Sequence, residues 1–239
     1  MSHLILVRHG QSEWNLENKF TGWVDVELAP QGKLEACKAG EFIKKLNLEI
    51  KHFYTSYQLR SIDTLKLILN TIRVKPNNII KAWQLNERHY GELTGLNKDE
   101  TKKKLGEEKF KLYRRSWDVA PPEIKDNDEN LKLFSPLNIG IPKDKIPKTE
   151  SLKDTYNRVI PFYEKFIKKN LELEKNIIIS AHGNSLRALC KYLFGISDVK
   201  INNLEIPTGN PLKVELNKDF SIKNYEYLDS SRKKEVLNI

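Results

Sequence analysis

Two short apolar runs, each ending in a histidine followed by a glycine, limit what this chain can fold into. Leu4-Ile5-Leu6-Val7 leads into Arg8-His9-Gly10, and Ile177-Ile178-Ile179 leads into Ser180-Ala181-His182-Gly183. Runs this short with no polar interruption read as strands buried on both faces, as in a parallel sheet. Amphipathic stretches alternate with them. Leu34, Cys37, Ala39, Phe42, Ile43 and Leu46 recur at helical spacing after the turn Leu28-Ala29-Pro30-Gln31-Gly32. Residues 53–56 read as a second strand, followed by a helix with Ile62, Leu65, Leu69 and Ile72 on one face; residues 79–83 read as a third strand. Ser151, with Asp154 three positions on, predicts the cap of a helix to about residue 170 that Pro161 should kink. Residues 175–180 form a strand, 185–193 a helix closing at Gly195, and 214–216 and 225–228 late strands. This alternation predicts an α/β protein with three layers, α/β/α, around a mostly parallel central sheet. Its length of 239 residues fits a single domain, 1–239.

Three stretches stand apart. Residues 98–116 read as a charged helix with eight basic and four acidic side chains. Residues 119–150 hold five of the ten prolines and little periodicity, which predicts a functional loop or lid rather than a domain boundary. The end of the chain, 230–239, is polar and basic and is expected to be mobile. No apolar run approaches the roughly 18 residues of a membrane span, and residues 1–3 show no leader pattern, so a cytoplasmic protein is expected. Cys37 and Cys190 lie far apart in apolar helical patterns, which suits small core residues in a reducing compartment. The net charge is +9, from 41 basic and 32 acidic residues. That excess could serve nucleic acid, membrane surfaces or small anions. The aromatic residues fall in apolar patterns rather than along a basic stripe, which disfavours nucleic acid.

In open α/β sheets, ligands bind at the carboxyl ends of the strands. His9 and His182 both fall there, with Arg8 and Arg187 beside them in sequence and Arg60 after the second strand. Glycines at Gly10 and Gly183 are expected to let a ligand approach the backbone. Two imidazoles and several guanidiniums suit a phosphoryl group, because arginine matches phosphate oxygens in pairs and imidazole is nucleophilic near neutral pH. No acidic cluster with magnesium-site spacing stands out, so no metal is expected.

The extended motifs resemble those of the cofactor-dependent phosphoglycerate mutases of the histidine phosphatase superfamily. They are Arg8-His9-Gly10-Gln11-Ser12-Glu13-Trp14-Asn15, Phe20-Thr21-Gly22-Trp23, Glu87-Arg88-His89-Tyr90-Gly91, Gly95-Leu96-Asn97-Lys98 and Arg114-Arg115-Ser116. Glu150-Ser151-Leu152-Lys153-Asp154-Thr155, Ala181-His182-Gly183-Asn184-Ser185-Leu186-Arg187 and Ile206-Pro207-Thr208-Gly209 follow in order, so the resemblance covers nearly the whole chain. Gln11 stands where many members have Glu, and residues 126–147 look shorter than usual.

The resemblance implies that His9 carries a phosphoryl group primed by 2,3-bisphosphoglycerate, with Arg8, Arg60 and His182 around it and Glu87 as proton donor and acceptor. It implies a substrate-binding set of Arg8, Gly10, Gln11, Ser12, Glu13, Trp14, Asn15, Thr21, Gly22, Arg60, Glu87, Arg88, His89, Tyr90, Lys98, Arg114, Arg115, Gly183 and Asn184. The implied reaction interconverts 2-phosphoglycerate and 3-phosphoglycerate without a metal, in a homo-oligomer with a dimer favoured and no nucleic-acid or membrane partner. A phosphatase or bisphosphoglycerate synthase of the same superfamily is the alternative, differing in whether water reaches the phosphohistidine. Ser12 matches the mutases, whereas specialised synthases often have glycine there. Arg88 would favour an ionised Glu87 and burial would oppose it, so sequence leaves that balance open.

Overall fold

The computed structural model describes residues 2–125, 132, 140–173 and 175–233. Along the chain run β1 (Ser2–Arg8), α1 (Glu13–Leu16), α2 (Pro30–Lys45), β2 (Ile50–Thr55), α3 (Leu59–Ile72), β3 (Ile80–Lys81), α4 (Lys98–Leu105) and α5 (Glu107–Arg115). Next come α6 (Leu152–Phe162), α7 (Lys168–Glu172), β4 (Asn176–Ala181), α8 (Gly183–Leu193), β5 (Leu212–Leu216) and β6 (Ile222–Tyr227).

The strands form one sheet in the order β3-β2-β4-β1-β5-β6. β3, β2, β4 and β1 are parallel, and the hairpin β5–β6 adds an antiparallel edge beside β1. Successive side chains of a strand point to opposite faces. Ile5 and Val7 of β1 therefore pack with Phe53 and Ile178 beneath Ala39 and Ile43 of α2 and Leu65, Ile68 and Leu69 of α3. Leu4 and Leu6 pack on the other face with Ile177 and Ile179 against Val159 of α6 and Leu186 and Leu189 of α8. The three layers follow from that alternation. β1 and β4 lie side by side in register, Val7 opposite Ser180 and Arg8 opposite Ala181. This pairing brings the loops that carry His9 and His182 together at one end of the sheet.

Several local expectations change. The third strand is only Ile80–Lys81, and residues 83–85 turn into a 3-10 helix. The charged stretch 98–116 is two helices, broken where Gly106 takes φ 79°. Leu34 is 64% exposed, because α2 buries Gly32, Ala36, Ala39 and Gly40 instead. Cys37 is half-buried and Cys190 buried, and both are free. The Ser151 cap holds as a reciprocal pair: Oγ accepts from the Asp154 N–H and the Asp154 carboxylate accepts from the Ser151 N–H. Pro161, which has no N–H to give, falls near the end of α6, and a π turn over Tyr163–Ile167 carries the chain on into α7. Within the long 119–150 segment, residues 126–131 and 133–139 lie outside the described residues, as do 234–239 of the expected mobile tail. Residues 230–232 form a 3-10 turn, and the Asp229 carboxylate accepts from the Ser231 N–H and hydroxyl. No described helix is long and apolar enough to cross a membrane.

Candidate active site

A cleft of about 450 Å³ opens at the carboxyl ends of β1 and β4. His9 lies at its base, 2% exposed. Its Nδ1 is 2.7 Å from the Gly10 carbonyl oxygen, which can only accept, so Nδ1 carries the proton. Nε2 is thereby left with its lone pair. Burial, and then the charges of Arg60 and Arg8, lower the His9 pKa well below its usual value and keep the ring neutral. The His182 ring lies 5.0 Å away, centroid to centroid, and is fully buried. The Ser56 hydroxyl accepts from the Gln58 N–H and sits 2.7 Å from His182 Nε2. Nδ1 of His182 is buried without a partner among the described residues. The His182 pKa is lowered by the same causes, burial first and Arg60 second.

Arg60 is 1% exposed on α3 and spans the loop opposite, donating from Nη1 to the Val24 carbonyl and from Nη2 to the Gly22 carbonyl, both at 2.9 Å. Burial lowers its pKa to about 10, so it stays charged. Arg8 donates to the Ile206 carbonyl at 2.8 Å. The Nε groups of both arginines, like His182 Nδ1, are buried without partners among the described residues. Buried polar groups are costly to leave unpaired. Around a neutral nucleophilic imidazole, these groups form a cradle for a phosphoryl group.

Glu87 faces this cradle. Its Oε1 accepts from the backbone N–H groups of Arg88 at 2.7 Å and Asn184 at 3.1 Å. Oε2 is directed toward Gly183, where a Cβ would lie 3.6 Å from it and 3.5 Å from Arg8 Nε. The backbone of Glu87 is itself clamped. Gln58 Oε1 accepts its N–H at 2.8 Å, and its carbonyl accepts from Trp23 Nε1 and Arg158 Nη2. Farther out, Lys98 donates to the Lys19 carbonyl at 2.7 Å, and burial with Arg114 nearby lowers its pKa to about 8. Asn184 bridges the Tyr90 hydroxyl and Arg187 Nη1.

Of the residues expected in the site, Arg8, His9, Asn15, Thr21, Gly22, Arg60, Glu87, Tyr90, Lys98, Arg114, Arg115, Gly183 and Asn184 line the cleft. The others do not line it. Gly10 makes its close approach to protein rather than to a ligand: a Cβ there would meet the Gly32 carbonyl oxygen at 2.1 Å. Gln11 binds Glu35 through its N–H, and buried Ser12 caps α1 and so positions Asn15. Glu13 is exposed on α1, and Trp14 packs against the cluster that holds Trp23 and Val24. Arg88 is fully buried and donates to the Tyr113 and Arg114 carbonyls, which fixes the end of α5 that presents Arg114 and Arg115. His89 Nδ1 accepts from the Gly91 N–H, and burial together with Arg158 lowers its pKa to about 4. Lys19, Phe20, Arg187, Glu205, Ile206, Pro207 and Thr208 also line the cleft and lie outside the expected set. The motifs held a signal for Phe20, Arg187 and Ile206-Pro207-Thr208; nothing local marks Lys19 or Glu205. Among the described residues, no three His, Cys, Asp or Glu side chains are grouped to hold a metal ion.

A sequence profile of the histidine phosphatase superfamily (branch 1) matches residues 4–135 and 134–223, and the chain belongs to that superfamily. Within it, the chain is 59% identical over 241 residues to the 2,3-bisphosphoglycerate-dependent phosphoglycerate mutase of Pelagibacter ubique, covering 99% of each chain. It is 48% identical over 230 residues to the protein of the same name in Treponema denticola, covering 96% of this chain and 93% of that one. Among solved structures it is similar to a mycobacterial glucosyl-3-phosphoglycerate phosphatase complexed with VO3, at TM-score 0.70 and 20% identity, covering 94% and 96% of the two chains. It is also similar to the alpha-ribazole phosphatase of Shigella flexneri, at TM-score 0.64 and 17% identity, covering 92% and 93%. These two likenesses show a shared fold.

Proposed function

We propose that the chain interconverts 2-phosphoglycerate and 3-phosphoglycerate through a phosphoryl group carried on His9. The observation that carries this reading is the state of His9. Its proton is held on Nδ1 by the Gly10 carbonyl, and its Nε2 lone pair lies among donors that lack partners. Bound 2,3-bisphosphoglycerate supplies the phosphoryl group that primes His9. The free donors of Arg8 and Arg60, with His182 beside them, fit such a group, and Arg114, Arg115 and Lys98 suit its further negative charge.

In each transfer to the enzyme, Nε2 of His9 attacks phosphorus, an N–P bond forms, and the P–O bond to the substrate breaks. Glu87 gives a proton to the departing oxygen and takes one back from the hydroxyl that attacks phosphohistidine in the return step. Its Oε1 is tied by two backbone N–H groups, which leaves Oε2 to handle that proton. Arg8 and Arg60 offset the charge that spreads over the phosphoryl oxygens, so positioning and electrostatics supply most of the catalysis. Arg114, Arg115 and Lys98 hold the carboxylate-bearing end, which separates a mutase from a phosphatase that needs only the inner pocket.

The site residues form one domain, 1–239, and the reading places it in the cytoplasm, in keeping with two free cysteines. With the resemblance goes the expectation of a homodimer, which light scattering decides. The test of function is conversion of 3-phosphoglycerate to 2-phosphoglycerate, followed with and without 2,3-bisphosphoglycerate in chelator-treated buffer. Conversion that needs the primer and survives the chelator supports the reading. Release of inorganic phosphate with no isomer formed contradicts it and favours a phosphatase.

A further inference from the structure

Seven basic side chains line the cleft, against two acidic ones, Glu87 and Glu205. Glu87 lies at the floor with one oxygen tied to backbone N–H groups. Glu205 is different. It is ion-paired with Arg115, and the two side chains are 38% and 22% exposed, so the pair stands at the mouth. A second groove, of about 360 Å³, lies beyond it and includes Lys102, Lys111 and Asn202 in its lining. Arg114, Arg115 and Glu205 line both the cleft and this groove, so the ion pair is part of the wall they share. The next residue, Ile206, gives the carbonyl that holds Arg8. Glu205 is thus one peptide unit from an anchor of the phosphoryl pocket, while its carboxylate engages a cation of the outer cluster.

The inner and outer charges overlap only in part, since Arg8 also acts on Arg114 and Lys98. Arg60 and Arg8 are the charges that act on His9, whereas Arg115 acts on Arg114 and Arg187. An inorganic phosphate needs only the inner group. A phosphoglycerate brings a second anionic end that must find the outer one, where a carboxylate already sits.

We propose that Glu205 is a specificity-determining residue: its carboxylate holds Arg115 as a tethered counterpart of the ligand's carboxylate end, and a bound phosphoglycerate displaces it. This deepens the functional reading above and rests on it for the identity of the ligand. Glu205 weakens a ligand according to the charge that ligand brings toward Arg115, and it leaves a bare phosphate unaffected. The exchange of one carboxylate for another lets the outer arginine recognise the substrate without holding the product too firmly.

Glu205→Gln tests this with little threat to folding, since the side chain is part-exposed and the amide keeps an oxygen for Arg115. Calorimetric titration with 3-phosphoglycerate and with inorganic phosphate, at low and at high salt, is the measurement. Removing a competing charge at a part-exposed site should tighten 3-phosphoglycerate about three- to tenfold at low salt. The gain should shrink as salt is added, and inorganic phosphate should change less than twofold. Equal or weaker binding of 3-phosphoglycerate by the variant would overturn the proposal and make Glu205 a support that orients Arg115. Equal tightening of both ligands would also overturn it, because the effect would then be a general field. A wild-type protein that binds inorganic phosphate but neither binds nor converts 3-phosphoglycerate would instead overturn the functional reading.

Discussion

Replacing Arg158 of α6 by leucine should damage both stability and turnover, although the residue does not line the cleft. Arg158 donates from Nε and Nη2 to the two oxygens of Glu150, at 2.6 and 2.9 Å. It also donates to the carbonyls of Gln84 at 2.7 Å, Asn86 at 3.0 Å and Glu87 at 3.0 Å. Glu150 in turn accepts the His89 N–H at 2.8 Å, so the pair grips the backbone on both sides of Glu87. The two side chains are only 9% and 4% exposed. Leucine at 158 strands the Glu150 carboxylate and three carbonyls in a dry setting, and breaking a buried pair from one side costs about 3–5 kcal/mol. In a chain of this size that lowers Tm by roughly 6–20 °C. Pairing Arg158→Leu with Glu150→Leu should recover part of the loss, because no uncompensated charge remains. The assay is urea unfolding of the two single variants and the double, with kcat and KM measured on each. In the folded fraction kcat should fall more than KM changes, because Glu87 is displaced while the cationic wall stays. A single-variant loss below about 1 kcal/mol, or a double variant as unstable as the sum of the singles, would refute the reasoning.

Glu87→Gln keeps the size but cannot exchange a proton, and should lower kcat by about 10²–10⁴-fold with little change in KM; an unchanged kcat removes Glu87 from the chemistry. Gly10→Ala places a Cβ 2.1 Å from the Gly32 carbonyl oxygen and should cost about 1–3 kcal/mol or more with loss of activity, as read by unfolding and turnover. His89 is held neutral by burial, with a pKa of about 4 against 6.5 in the unfolded chain. Its stabilisation is therefore full above about pH 6.5 and is lost as the pH falls from 6.5 toward 4, by about 3 kcal/mol in all. His9 and His182, with pKa values also lowered, act in the same direction. Unfolding free energies from pH 7.5 to 4.5 check this, and a His89→Gln variant with as steep a decline as the wild type contradicts it.

The parts of the fold and site that could be read from sequence are those set by local pattern. Apolar runs located β1 and β4, the sheet rule placed His9 and His182 at their ends, and a Ser/Asp spacing located the start of α6. The expected stripe of α2 holds at Ala39, Ile43 and Leu46 and fails at Leu34, which is exposed. Beside Ala39 and Ile43, its contact face includes the stripe Gly32, Ala36 and Gly40, four apart, and a Cβ on Gly40 would lie 2.6 Å from Thr71. That spacing was visible, but only packing of Gly40 against α3 and of Gly32 against Gln11 makes it an inner face. The split of residues 98–116 turned on one glycine in a left-handed conformation, which helical charge patterning does not reveal. The resemblance brought Ser12, Arg88 and His89 into the expected binding set, and the structure puts them one layer behind the lining residues. Ser12 fixes Asn15, Arg88 the end of α5, and His89 the turn at Gly91. Arg158 and Glu205 could not be read as site residues at all, because each acts through partners far away in sequence, Gln84 and Arg115 among them.

The central claim is that His9 Nε2 receives the phosphoryl group, and the most direct measurement is to locate it. The protein is incubated with 2,3-bisphosphoglycerate, digested under alkaline conditions, and mapped by mass spectrometry with phosphorus NMR of the intact phosphoenzyme. The account predicts one acid-labile, alkali-stable phosphate on His9, attached at Nε2 because the Gly10 carbonyl holds the proton on Nδ1. It also predicts that the label is discharged by 3-phosphoglycerate faster than by water. Phosphate found on Ser12, on His182 or at His9 Nδ1, or no phosphoenzyme while isomerisation proceeds, would contradict it.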